Sequence, residues 1–134
     1  MAVFNYGAPG LGNVASYQVS GKPFVSGGIN VGAEPDDTTE IGFPSVTRWI
    51  IITNHDVTHD ISCSYSETGF TTNNYFTVSR DRNDYTNTQT QRMELKISKI
   101  FLKGASANVD VIAGLTGIST GSILNNWSGS MGVG

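Results

Sequence analysis

Hydrophobic residues along this chain recur mostly at every second position, the spacing of strands rather than helices. In "SVTRWIIITN", Val46, Arg48, Ile50 and Ile52 share one face, with Thr47, Trp49, Ile51 and Thr53 on the other. Both faces are apolar around the middle, which predicts a central strand covered on both sides. "DISCSYSE" alternates cleanly, with Ile61, Cys63 and Tyr65 predicted inward and Ser62, Ser64 and Ser66 outward. "NYFTVSR" is a further β-branched and aromatic run, and "SANVDVIAG" sets Ala107, Val109, Val111 and Ala113 in one register. "RMELKISKIFLKG" places Met93, Leu95 and Ile97 opposite Glu94, Lys96 and Ser98, until the phase slips at Ser98-Lys99 and Ile100 and Leu102 lead. A one-residue slip predicts a β-bulge there. Nearer the start, "ASYQVSG" predicts a strand carrying Tyr17 and Val19, followed by "PFVSGGINVG", broken at Gly27-Gly28.

Gly, Asn, Asp and Ser turns separate these runs, with Pro35-Asp36-Asp37 good turn chemistry. About six to eight short strands in this arrangement predict an all-β fold, an antiparallel β-sandwich or jelly-roll-like barrel. Helix content should stay under roughly 10%, against the usual ~30–35%. With 134 residues the chain fits a single domain. It divides into an N-terminal arm (1–16), a β core (17–113) and a C-terminal arm (114–134). Both arms are extended and Gly/Ser-rich, yet they carry Phe4, Tyr6, Leu11, Ile123, Leu124 and Trp127. Flexible linkers usually lack such side chains, so the arms either lie on a partner or wrap their own domain. Phe4, Tyr6, Leu124 and Trp127 are the interface candidates, and Trp127 is the best single anchor because it has the largest surface to bury.

Composition narrows the function. Charged residues make up 14% of the chain, against roughly 25% in ordinary soluble domains. A surface that repels its neighbours so weakly suits packing against other proteins, including copies of itself. The net charge of −3, with basic residues scattered, points away from nucleic acid. "MAVFNYGAPGLG" lacks a basic stretch and an apolar core, so no signal peptide is expected. The longest apolar run, Trp49 to Ile52, is too short for a bilayer, and no membrane association is expected. Asn126-Trp127-Ser128 fits the glycosylation acceptor pattern, read here as coincidence.

Candidate chemistry is confined to "TNHDVTHDIS", which holds both histidines, each followed by an aspartate: His55-Asp56 and His59-Asp60. Helical histidines at this spacing can share a metal, but strand-forming flanks make the stretch a hairpin loop. A metal would also need further ligands, and Asp36, Asp37 and Glu67 stand at no recognisable spacing. Glu40, Glu67 and Glu94 show no pairing that the sequence can establish. Cys63, the single cysteine, reads as a small buried hydrophobe. On a strand His59 would share its face but sit about 13 Å away, too far for a dyad. "GAPGLG" has no following helix or lysine to make a phosphate cradle. The expectation is a non-enzymatic protein without catalytic residues, metal or cofactor.

"NYGAPGLGNVASYQVSGKPFVSGG", "FPSVTRWIIITN", "VIAGLTGI" and "NNWSGSMGVG" together resemble small virion structural proteins of tailed bacteriophages, notably marine ones. The resemblance runs from about Phe4 to Gly134 and carries no catalytic signature. It implies a head decoration (cement) protein assembled in the host cytoplasm. Such a protein binds the major capsid protein on the outer shell as a homo-oligomer, most simply a trimer, and stabilises the capsid. Alternatives are a tail or neck structural protein of the virion, or a carbohydrate-binding β-sandwich module with Trp49 or Trp127 as the stacking platform.

Overall fold

A computed structural model describes residues 8–18, 21–32, 38–82, 88–105 and 108–134. Phe4, Tyr6, Val19, Asp36, Asp37 and Ala107 lie outside the described residues, as do residues 1–7 of the N-terminal arm. Among the described residues seven strands form two antiparallel sheets, an all-β sandwich. In chain order they are β1 (Lys22–Ile29), β2 (Thr39–Gly42), β3 (Thr47–Asn54), β4 (Ile61–Ser64), β5 (Phe76–Val78), β6 (Lys99–Lys103) and β7 (Val109–Leu115). The first sheet runs β1-β7-β3 and the second β2-β6-β4-β5. Helix among the described residues is limited to α1 (Ala15–Gln18) and 3-10 turns at Glu67–Phe70 and Thr120–Ile123. None is long and apolar enough to cross a membrane.

Alternation sorts the strands onto the core. Ile50, Ile52, Val111 and Ala113 from the first sheet meet Ile61, Cys63, Ile100 and Leu102 from the second, all fully buried. The phase of β3 is set by a bulge. Thr47 pairs with Leu115 and Trp49 with Gly114, so Arg48 is an extra residue. That extra residue puts Thr47, Ile50 and Ile52 on the buried side, where strict alternation predicted Ile50 and Ile52 without Thr47.

The slip at Ser98-Lys99 is a change of sheet rather than a bulge within one strand. Residues 88–97 run antiparallel beside β3, with bridges Thr53–Gln89 and Ile50–Met93 and Thr47 N–H donating to Ile97 O. The chain then enters the second sheet, where Lys99 pairs with Gly42 of β2. Side chains must change phase because the face pointing at the core reverses between the two layers.

Three other expectations change. Ala15–Gln18 is a helical turn, not a strand. Tyr17 packs beside a second cluster of Val46, Ile118 and Ile123, under the ammonium of Lys96 at 4.5 Å. The segment between β3 and β4 is not a hairpin loop, because those strands belong to different sheets and it arches between them. Ser64 and Ser66 are buried, not outward. Ser64 Oγ donates to Asn74 O, and Ser66 Oγ donates to Val133 O at the chain end.

Strand β7 extends through Gly114 and Leu115, into the span assigned to the C-terminal arm. Beyond it the chain lies on its own domain. Thr116 and Ile118 bond to Val46, and Asn126, fully buried, is inserted where the chain changes sheets. Its amide oxygen accepts from Ser98 N at 2.7 Å, and its amide nitrogen donates to Lys99 O at 2.8 Å and to Tyr65 O. A glycosylation acceptor needs that nitrogen free, so the Asn126-Trp127-Ser128 match carries no glycan site.

Candidate functional site

The arch holding both histidines is knit by its own polar groups. Asp56 Oδ1 accepts from the backbone of Thr58 at 2.6 Å and of His59 at 2.9 Å, the Asx turn its sequence favours. Asn54 donates to His59 O at 2.9 Å, and Asp60 Oδ1 accepts from Arg80 N at 2.8 Å. The imidazoles take different partners. His59 Nδ1 lies 2.7 Å from Thr58 Oγ1, whereas His55 Nε2 lies 2.8 Å from Asp110 Oδ2 on β7. Among the described residues no group of three or more His, Cys, Asp or Glu side chains could hold a metal ion.

Asp110 joins two irregularities. Its other oxygen accepts from Gly28 N at 3.0 Å, at the bulge in β1 where Ser26 pairs with Val111 and Ile29 with Val109. Gly28 has φ +62°, open to glycine at little cost. The Gly28 N–H holds the Asp110 carboxyl below its ordinary 3.8; desolvation opposes it, and the hydrogen bond and charge of His55 lower it further. This is a strand-end clasp at the exposed surface. Cys63 is fully buried and burial pushes its thiol well up, which leaves it no thiolate character. Tyr65 is likewise pushed up to about 12, by burial first and Cys63 second. Glu40 pairs with Lys99 and Glu94 with Arg92.

The surfaces that stand out are apolar. On the outer face of the first sheet Val25 pairs with Ile112, and Ile112 with Ile51, a row of aliphatic side chains across three strands. Val25 is 70% exposed, Ile112 37%, and Ile51 half-buried. One step along, Pro23, Gly114 and Trp49 form the next row, and the Trp49 indole lies directly over Gly114. A sequence reading cannot assign this row, because strand pairing and register decide which outward residues become neighbours.

Of the interface candidates, Leu124 is 80% exposed and Trp127 38% exposed, while its indole N–H donates to Lys96 O. Asn126 and Trp127 both have positive φ, at 50° and 67°. Such backbone is uncommon for a bulky residue and persists only where its surroundings fix it. The amide contacts of Asn126 supply that fixing. The turn therefore buries Asn126 and leaves Leu124, Trp127 and a fully exposed Met131 outside. Comparison with protein-family models, with curated proteins and with solved structures returned no match.

Proposed function

We propose that this chain is a non-enzymatic structural protein of a tailed-phage virion, a decoration protein that associates with its own copies and docks on the outer capsid shell. The observation that carries this reading is the row Val25–Ile112–Ile51, left open to solvent on a chain that has few charges to keep neighbours apart. A second apolar surface, the turn with Leu124, Trp127 and Met131, stands on a different element. A component that must touch both its own copies and a shell needs two such surfaces. Weak contacts repeated over many copies then hold through effective concentration.

The likeness to phage virion proteins noted in the sequence supports the capsid as the partner. A head protein is favoured over a tail or neck protein only by that likeness. The test is to mix purified protein with capsid shells of the encoding phage that lack it, then sediment the shells. Wild-type protein should co-sediment at a fixed ratio, and Leu124→Asp with Trp127→Ser should lose most of this binding. Wild-type protein remaining in the supernatant at micromolar concentration would refute the reading.

A further inference from the structure

The outer face of the second sheet differs from that of the first, being polar and bearing lysines. Ser62 of β4 pairs with Lys103 of β6 on one side and Thr77 of β5 on the other. Beside them lies a hollow of about 270 Å³ lined by Asp60, Ser62, Phe70, Tyr75, Lys103 and Gly104. Its size, just under the roughly 300–1,000 Å³ of drug-sized sites, suits one small ring. Phe70 and Tyr75 form a tilted pair with centroids 6.0 Å apart, and Tyr75 is 44% exposed. The Lys103 ammonium stands 5.7 Å from the Phe70 ring. Gly104 lets the two strands approach at the rim of the hollow: with φ +137°, a Cβ there would stand 2.6 Å from Asp60 O.

The polar groups around this aromatic wall are largely unused. Ser62 Oγ and the Tyr75 hydroxyl have no hydrogen-bond partner among the described residues, and no ion pair joins Asp60 to Lys103. One carboxylate oxygen of Asp60 holds Arg80 N, and the other is open to accept. The hollow thus offers an aromatic face, a carboxylate acceptor, an ammonium donor and two hydroxyls that do either. A free phosphate would meet the like charge of Asp60, and a polyamine that of Lys103. A pyranose matches instead: its C–H face stacks on a ring, and each of its hydroxyls both donates and accepts.

We propose that this hollow binds a neutral sugar unit of a glycan, with Tyr75 as the stacking platform and Asp60, Ser62 and Lys103 as its hydrogen-bonding ring. Neither tryptophan lines this hollow: Trp49 lies on Gly114, and the Trp127 N–H is taken by Lys96 O. This inference stands independently of the capsid reading, since a glycan site can serve a virion surface or a separate binding module.

The test is a glycan array probed with the full chain, followed by titration of the strongest printed saccharide by calorimetry. Binding to a subset of neutral glycans is expected. Tyr75→Ala should weaken it about tenfold or more, the scale of a lost aromatic contact with its hydroxyl. Lys103→Met, which keeps the aliphatic stem over Phe70, and Asp60→Asn should weaken it as well, while Trp127→Ala leaves it unchanged. Circular dichroism checks that each variant folds; should Tyr75→Ala fail to fold, Lys103→Met and Asp60→Asn decide the matter. No printed glycan bound above background, or binding indifferent to all three pocket variants, overturns the proposal.

Discussion

The amide oxygen of Asn126 accepts the backbone N–H of Ser98 at 2.7 Å, at the point where the chain leaves one sheet for the other. The same side chain ties Lys99 O and Tyr65 O, so one residue of the C-terminal segment closes the seam between the layers. Asn126→Ala strips these buried groups of their partner, at about 1–3 kcal/mol for each left unsatisfied. A loss on the order of 3 kcal/mol is expected, which lowers the melting temperature by roughly 10 °C for a domain of this size. Thermal denaturation followed by circular dichroism checks it, and a shift under about 2 °C would show that the seam closes without this residue.

How much of this was legible in the sequence follows from what alternation can and cannot encode. Period-two patterning places Ile50, Ile52, Ile61, Cys63, Val109 and Val111 in the core, because the side a strand residue faces is a local property. The partner of each strand is not local. The slip at Ser98 was visible as a change of phase, but a bulge and a change of sheet leave the same mark on a one-dimensional pattern. Ser64 and Ser66 read as outward because serine is usually exposed, yet Ser64 is taken by Asn74 O and Ser66 by the chain end. Asn126 read only as part of an extended Gly/Ser-rich arm, since nothing in "ILNNWSGS" announces an amide that meets three distant backbone groups. Of the candidate surfaces, Leu124 and Trp127 were legible as apolar residues among glycines. The row of Val25, Ile112 and Ile51 requires the register of three strands.

The clasp on Asp110 predicts an acid dependence of stability. Its carboxyl is held below 3.8 in the folded state, so the stability it contributes is fully present above that value. That stability is lost as pH falls through the folded-state value. Because the side chain is 36% exposed, solvent screens the effect to under about 1 kcal/mol. Asp110→Asn should therefore be slightly less stable than wild type at pH 7, with the difference shrinking to nothing in strong acid. His55→Ala should remove only part of it, because Gly28 N–H remains. Urea midpoints measured from pH 7 down to 2 read this, and a gap that widens toward low pH contradicts the assignment.

Trp49 over Gly114 predicts a packing limit. A methyl at residue 114 would collide with the indole nitrogen and its neighbouring carbons. Gly21 approaches the Gly114 backbone from β1's side, which leaves little room for a shift. Gly114→Ala should cost about 1–3 kcal/mol, the usual range for overpacking. It should also red-shift the tryptophan emission as the ring lifts into water. Unchanged emission with unchanged stability would mean that the indole does not rest there.

Self-association should follow the outer face of the first sheet. Val25→Asp with Ile112→Asp places two charges on the aliphatic row without touching the core, so the fold and its melting temperature should change little. Sedimentation velocity at micromolar concentration should give an oligomer for the wild type, most simply a trimer, and a monomer for the double variant. An oligomer that survives both substitutions places the interface elsewhere.

The capsid reading is tested most directly by a cryo-electron microscopy map of intact particles of the phage that, on this reading, encodes the chain. The account predicts a two-sheet density at regularly repeated positions on the outer surface of the head. The Val25–Ile112–Ile51 face should lie against a neighbouring copy, and Leu124 and Trp127 against the shell. A head whose surface holds no such density, with the chain found only in the tail or neck or not in the particle at all, would contradict it.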